Sequence, residues 1–549
     1  MEVLSPAEPK RTTLPPGVTS IDEVKSRKRT ARMISKAASL KMEGKIEAAV
    51  QMLGKWIESG ERDAALYSAL GHLQYELHDY AAAAATYTQL AERDPTHRTV
   101  HFNLGVCQGN LKNWKAAVES FRRAADADAT RADAQLGLGI SLIHNGSPAQ
   151  ALVPLDGFLA AFPEHEQALF GKAVALQQIG RHAEAVDYYR KVLARSPRSE
   201  EALSNLVAMF LERKDVDSVR HYAAMLAELK PESAVALEAL SAVAFVDGDY
   251  ATAVRYCRTL TEIAPGRFEN WFNLGVAHHK LGNHRKAAQA YEQAAALKPD
   301  SAQAHLNLGV TWQELSDLPA ARQCYEKALE TDPRQHGALW NLALVLEQLG
   351  ERERAEKLYS QVPEDAAESC DAVFRLGYLL LVRGEFAASA GVFEKCLAKR
   401  PDWPEAFLNA GIAHVRSGNP ERARQLFQEA LLMRPDSADA LRGLAALALE
   451  ERNYEEAYDL HRKLIDLGDH SPELFYNAGL ICQKNGKMQD ATRYYQRALV
   501  EDPQFAEALL NLGHALMTMG QEDEAQAYWR KAIREKPELA QQYFDAAEE

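Results

Sequence analysis

A chain of 549 residues would ordinarily divide into several globular domains, but length is a soft guide that an internal repeat overrides. Hydrophobic residues make up 47% and charged residues 26%, with 31 glycines and 22 prolines, so the chain is neither wholly disordered nor collagen-like and has the means to bury a core. Its net charge of −14, from 63 basic and 77 acidic residues, argues against nucleic acid or anionic lipid as general ligands and favours neutral or basic protein partners.

From the amino terminus, residues 1–19 are polar and rich in Pro and are expected to form a disordered tail without a secretory signal. Ser20-x-x-Glu23 reads as a capping box that opens the first helix. That helix is basic (Lys25, Arg27, Lys28, Arg29, Arg32, Lys36), which fits either a docking patch for an acidic partner or the solvated face of a terminal cap.

From Thr30 onward the chain matches itself every 34 residues, in units beginning at Thr30, Ala64, Arg98, Ala132, Glu166, Glu200, Ala234, Phe268, Ala302, His336, Cys370, Pro404, Ala438, Pro472 and Ala506. In each unit apolar residues recur at i, i+3, i+4 and i+7 on either side of a turn, which predicts two helices of about 13 residues, roughly 20 Å each. Place 8 is Gly in nine units and place 20 is Ala in thirteen, while place 24 is aromatic in ten, so small residues face a large wedge. Pro at place 32 in eleven units ends the second helix. A single helix pair cannot bury its apolar faces, so each unit must lean on the next.

The pattern W/L-x-x-L-G…A-x-x-x-Y/F-x-x-A…P at this period resembles the tetratricopeptide repeat, from Thr30 to Leu539. The resemblance implies an all-α, right-handed superhelical solenoid of about fifteen tandem repeats spanning residues 20–539. A short helix over 540–549, with Leu539, Tyr543 and Ala546 on one face, is expected to cap it. The repeats are most similar to the superhelical region of O-GlcNAc transferase, whose glycosyltransferase domain has no counterpart in these residues.

The sixth unit carries Val207 and Val219 at the two small-residue places, and Lys214 where several units have Gly, so looser packing or a local change in the superhelix is expected there. In the eighth, His278, His279 and His284 form the densest histidine cluster. Adjacent helical positions point apart and His284 is expected beyond the turn, so no metal ligand is assigned. The six cysteines lie far apart with no C-x-x-C or zinc spacing, and Cys257 and Cys396 take core places. No apolar run approaches the roughly 20 residues that cross a bilayer, so a cytoplasmic location is expected. The phase admits only short turns, and G-x-x-x-x-G-K-[ST], H-E-x-x-H, G-x-S-x-G and G-x-G-x-x-G are all missing. No catalytic residue or cofactor is assigned, and the chain is expected not to be an enzyme.

Places 2, 5, 6, 9 and 13 share the face of the first helix away from the small-residue seam, which in the resembling family is the concave groove. Place 6 is Asn in eight units: Asn103, Asn205, Asn273, Asn307, Asn341, Asn409, Asn477 and Asn511. A carboxamide both donates and accepts, so this ladder fits two roles: pairing with the backbone of an extended peptide, or bonding between neighbouring helices. Phe272, Leu306, Trp340, Phe374 and Leu408 at place 5, with Tyr378 among the apolar residues at place 9, fit either side-chain pockets or seals between helices. Acidic residues at place 2, such as Glu405, Asp439 and Glu507, fit either a groove edge that selects basic peptides or the helix macrodipole.

The resemblance implies one exclusion: the family's clamp for chaperone C-terminal tails needs Lys at place 5 and Asn at place 9, and no unit has either. The expected function is a non-catalytic scaffold for extended peptide segments. The alternative is a substrate-choosing subunit serving a glycosyltransferase or other enzyme in trans.

Overall fold

The computed structural model describes residues 21–128 and 131–539. The expected tail over 1–19, the capping serine and the helix expected over 540–549 lie outside them. Among the described residues thirty α-helices follow one another with no strand, making an all-α repeat solenoid. The first helix, Ile21–Met42, is the longest at 22 residues.

The pair Ala302–Glu314 and Leu318–Thr331 shows how one repeat is made. Ser301 starts the first helix by accepting from the Ala304 amide, and Asp317 starts the second by accepting from Ala320. Between them Ser316 takes a left-handed conformation, φ +62°. Its amide bonds back to Gln313 O at 2.9 Å and that of Asp317 to Trp312 O at 2.9 Å, which closes the helix end and reverses the chain. The same place is left-handed in all fifteen repeats, with Gly in ten and His78, Lys112, Lys214, Ser316 and Arg452 in the rest.

The small places exist for the wedge. A methyl group added at Gly71, Gly309 or Gly411 would stand 2.8, 2.5 and 2.5 Å from the rings of Tyr87, Tyr325 and Phe427, closer than carbon atoms pack. The sixth repeat reaches the same fit by exchanging sizes: Val207 fills the glycine's place and Ala223 the aromatic's, with Phe210 stacked on Tyr222 at 5.6 Å. Val207 and Val219 are both buried in a cluster running from Leu169 to Val243.

Contacts divide the chain into two compact units, Met1–Asn270 and Trp271–Glu549. The first holds the Leu169–Val243 cluster and a second from Tyr67 to Ala134. The other holds clusters from Ala321 to Leu379, Ala423 to Ile481 and Cys482 to Leu539. One departure from short turns lies in this second unit. Helix Arg352–Tyr359 has only 8 residues, and the next begins at Ser369. Pro363 has no N–H to give Tyr359 and its ring would strike that carbonyl, so the helix stops four residues before it and a non-helical segment over 360–368 restores the phase.

Candidate functional site

The first helices carry the residues that sequence singled out, and the buried tyrosines at place 24 decide what many of them do. Burial pushes the hydroxyls of Tyr87, Tyr189, Tyr291, Tyr325 and Tyr495 far above the ordinary phenol range, so each is a neutral group that must be hydrogen-bonded. Three use a glutamine at place 12 of their own repeat: Tyr189 donates to Gln177 at 2.7 Å, Tyr325 to Gln313 at 2.8 Å and Tyr495 to Gln483 at 2.6 Å. Tyr359 uses Glu347 in the same place, at 2.9 Å.

Half of the asparagines are committed to this internal network. Asn103 is fully buried and donates to Tyr87 Oη at 3.3 Å. Asn205 bonds to the hydroxyl of Tyr189, and Asn307 to that of Tyr291 while also accepting from Gln303. Asn511 donates to Tyr476 Oη at 2.8 Å. The bonding role between neighbouring helices therefore describes these four.

Asn273, Asn341, Asn409 and Asn477 differ. Asn273 is exposed, the other three are half-buried, and none has a side-chain hydrogen bond among the described residues. The ring beneath differs in each of the last three. Asn341 follows Tyr325, whose hydroxyl is given to Gln313; Asn409 follows Phe393, which has none; Asn477 follows His461, whose Nδ1 lies 2.7 Å from Ala457 O.

The apolar residues are mostly seals. Phe272, Trp340 and Phe374 set their rings 5.7, 5.6 and 5.6 Å from Tyr291, Tyr359 and Phe393. Phe374 also stacks on Trp403 at 4.4 Å. Leu306 lies against Gly337 of the next first helix, and Leu408 packs on the cluster that follows it. Tyr378 alone among the six is exposed, at 43%, with Ile412 of the next repeat at 37%. Of the acidic residues at place 2, Glu405 and Glu507 pair with Arg434 at 2.8 Å and Lys536 at 2.7 Å near the end of the same repeat's second helix. The hydrogen bond from its own backbone N–H, and then Arg434, hold the Glu405 carboxyl below the ordinary range, and Lys536 does the same for Glu507.

Cys257 and Cys396 are buried, as are Cys107, Cys324 and Cys482, and burial pushes the Cys107 thiol up to about 12. Such thiols are poor nucleophiles. The expectation that the turn separates the histidines is corrected. His279 and His284 come together across it, ring centroids 5.7 Å apart, and Glu314 of the next repeat meets both. The clue in the sequence was Gly282, which takes φ +71° and folds the chain back on itself.

No helix of the described residues is long and apolar enough to cross a membrane. No curated protein matches the chain. Solved structures match at low identity. YrrB, described as a TPR protein with an unusual peptide-binding site, is 22% identical over 34% of this chain and 96% of its own, with a TM-score of 0.32. MamA is 23% identical over 30% of this chain and 97% of its own, TM-score 0.29. The C-terminal part of a TPR repeat-containing protein from Cytophaga hutchinsonii is 17% identical over 43% of this chain and 98% of its own, TM-score 0.38. Models of the tetratricopeptide repeat match residues 68–132, 110–156, 136–200, 268–301, 313–377, 408–472 and 483–547. These matches cover more than half of the sequence, and the chain belongs to the tetratricopeptide repeat family, a protein-interaction scaffold.

Proposed function

We propose that this scaffold is non-catalytic and holds extended peptide segments along the first helices of its second unit. The carrying observation is the split within the asparagines: Asn273, Asn341, Asn409 and Asn477 keep carboxamides that no side chain or backbone group of the described residues occupies. Each offers a donor pair and an acceptor to a backbone N–H and C=O whatever the peptide's sequence. Successive first helices of this unit touch, as Ser369–Arg383 does Pro404–Arg416. At the usual spacing of roughly 10 Å between packed helices, one repeat spans about three residues of a strand rising ~3.3 Å per residue. Tyr378 and Ile412 add exposed apolar surface beside Asn409 for a side chain of the ligand. Six free thiols suit a reducing compartment such as the cytoplasm.

The test is an array of immobilised peptides in extended form, probed with the full chain and with its Asn341→Ala/Asn409→Ala/Asn477→Ala variant. Binding lost by the variant at unchanged helicity supports the reading. Equal binding by both, or none by the unaltered chain, removes it.

A further inference from the structure

Two imidazoles and a carboxylate meet at the junction of two neighbouring repeats. His279 is near the end of helix Phe268–Lys280, His284 opens helix His284–Leu297, and Glu314 ends helix Ala302–Glu314. His279 Nε2 and His284 Nδ1 each stand 2.8 Å from Glu314 Oε2, and the three donor atoms lie within 4.8 Å of one another.

The backbone accounts for the meeting. Gly282 N bonds to His279 O at 2.9 Å and Asn283 N to His278 O at 2.9 Å, so places 12 and 17 face each other across the turn. Other repeats use this contact for rings alone, as in Tyr75 with Tyr80 at 5.4 Å and Phe245 with Tyr250 at 6.2 Å. Place 17 then meets place 13 of the following repeat, where Trp114 stacks on His144 at 4.3 Å and Arg416 lies over Phe386 at 5.4 Å. The packing is general to the fold. The chemistry at His279, His284 and Glu314 is not.

A hydrogen-bonded clasp describes the three groups poorly. Although 2.8 Å from the oxygen, neither inner nitrogen makes a hydrogen bond, and neither has accessible surface. The rings themselves are 26% and 31% exposed and the carboxylate 38%, so the three groups border solvent. At the bond length of about 2.1 Å usual for zinc, each histidine nitrogen and the carboxylate oxygen, 2.8 Å apart, subtend about 85° at a shared ion. Two imidazoles with one carboxylate suit a first-row transition ion, whereas calcium and magnesium favour all-oxygen sets.

We propose that His279, His284 and Glu314 bind a divalent first-row transition ion, which fastens the repeat beginning at Phe268 to the repeat beginning at Ala302. Water completes the coordination. None of the three groups is one of the asparagines, and ion binding does not depend on peptide binding.

The probe is Zn2+, titrated calorimetrically into the full chain, with Co2+ as a second probe read by its visible d–d absorption. One high-affinity ion per chain is expected, with raised amide protection over 279–284 and 312–316. His279→Phe and His284→Phe keep rings that other repeats carry at these places, Phe245 and Phe386, so the turn persists while a ligand is removed. Glu314→Gln keeps the size of the third group. Each variant is expected to bind at least about ten-fold more weakly, since even groups that only hydrogen-bond to a metal's ligands are worth roughly 10–100-fold. No Zn2+ bound by the unaltered chain, or the same affinity and stoichiometry in the variants, overturns the site.

Discussion

Asn103, in the first compact unit, and Asn341, in the second, hold the same place in their repeats and each follows a buried tyrosine by 16 residues, yet only one is shut in. The first repeat of the comparison has Tyr75 at place 12, so the hydroxyl of Tyr87 turns to Asn103. The other has Gln313 at that place, which accepts from Tyr325 at 2.8 Å, and Asn341 is half-buried with no side-chain hydrogen bond among the described residues. One letter of sequence is thus a structural joint in one repeat and an open contact in another, and the glutamine does not decide it alone, since Tyr189 donates to Gln177 and still bonds Asn205.

The most forceful way to break this comparison is Tyr87→Ala, which removes the wedge as well as the hydroxyl. A loss of about 3–5 kcal/mol is expected at the joint, read by urea unfolding with amide exchange over residues 64–128. A loss no larger than a surface substitution gives would end the wedge argument. Tyr87→Phe and Tyr325→Phe then separate the two hydroxyls. The first takes a partner from fully buried Asn103 and is expected to cost about 1–3 kcal/mol, the second frees half-buried Gln313 to meet water and is expected to cost under about 1 kcal/mol. Equal losses would show that burial of the amide does not set the difference.

A third measurement uses acid on the joint preceding Asn477, where His461 replaces the phenol. Burial holds its imidazole below the ordinary value of 6.5, outweighing the bond to Ala457. Unfolded chain therefore takes up a proton that the folded repeat refuses, so stability is full above pH 6.5 and falls as pH drops below it. His461→Phe should remove the acid-dependent loss of amide protection over residues 438–471. An unchanged loss would mean that other groups carry it. Smallest of all, Asn341→Ala should change stability by no more than about 0.5 kcal/mol. A larger loss would mean that Asn341, like Asn103, is part of the joint.

Much of the fold was legible because it is local. The 34-residue phase, the exchange of small and aromatic residues and the left-handed turn each follow from residues within one unit. The short helix before Pro363 departs from the expected short turns: that proline stands four places before the usual one and decides where the preceding helix stops. The candidate site was half legible. The ladder could be found as a column of Asn, but its division into Asn103, Asn205, Asn307 and Asn511 on one side and Asn273, Asn341, Asn409 and Asn477 on the other rests on hydroxyls in a different helix. The apolar column was open for the same reason: in sequence Phe374 fits either an anchor or a seal, and Trp403 covers it.

By itself, then, the sequence determined the class of helix pairs, their number and the need of each to lean on the next, because apolar periodicity acts over one or two turns of helix. Tertiary structure alone decided which carboxamides are satisfied, that Val207 and Ala223 restore the fit lost by exchanging sizes, and that His279 and His284 meet Glu314. Those outcomes depend on which side chains the turns and stacked helices bring within about 3 Å, the range of a hydrogen bond.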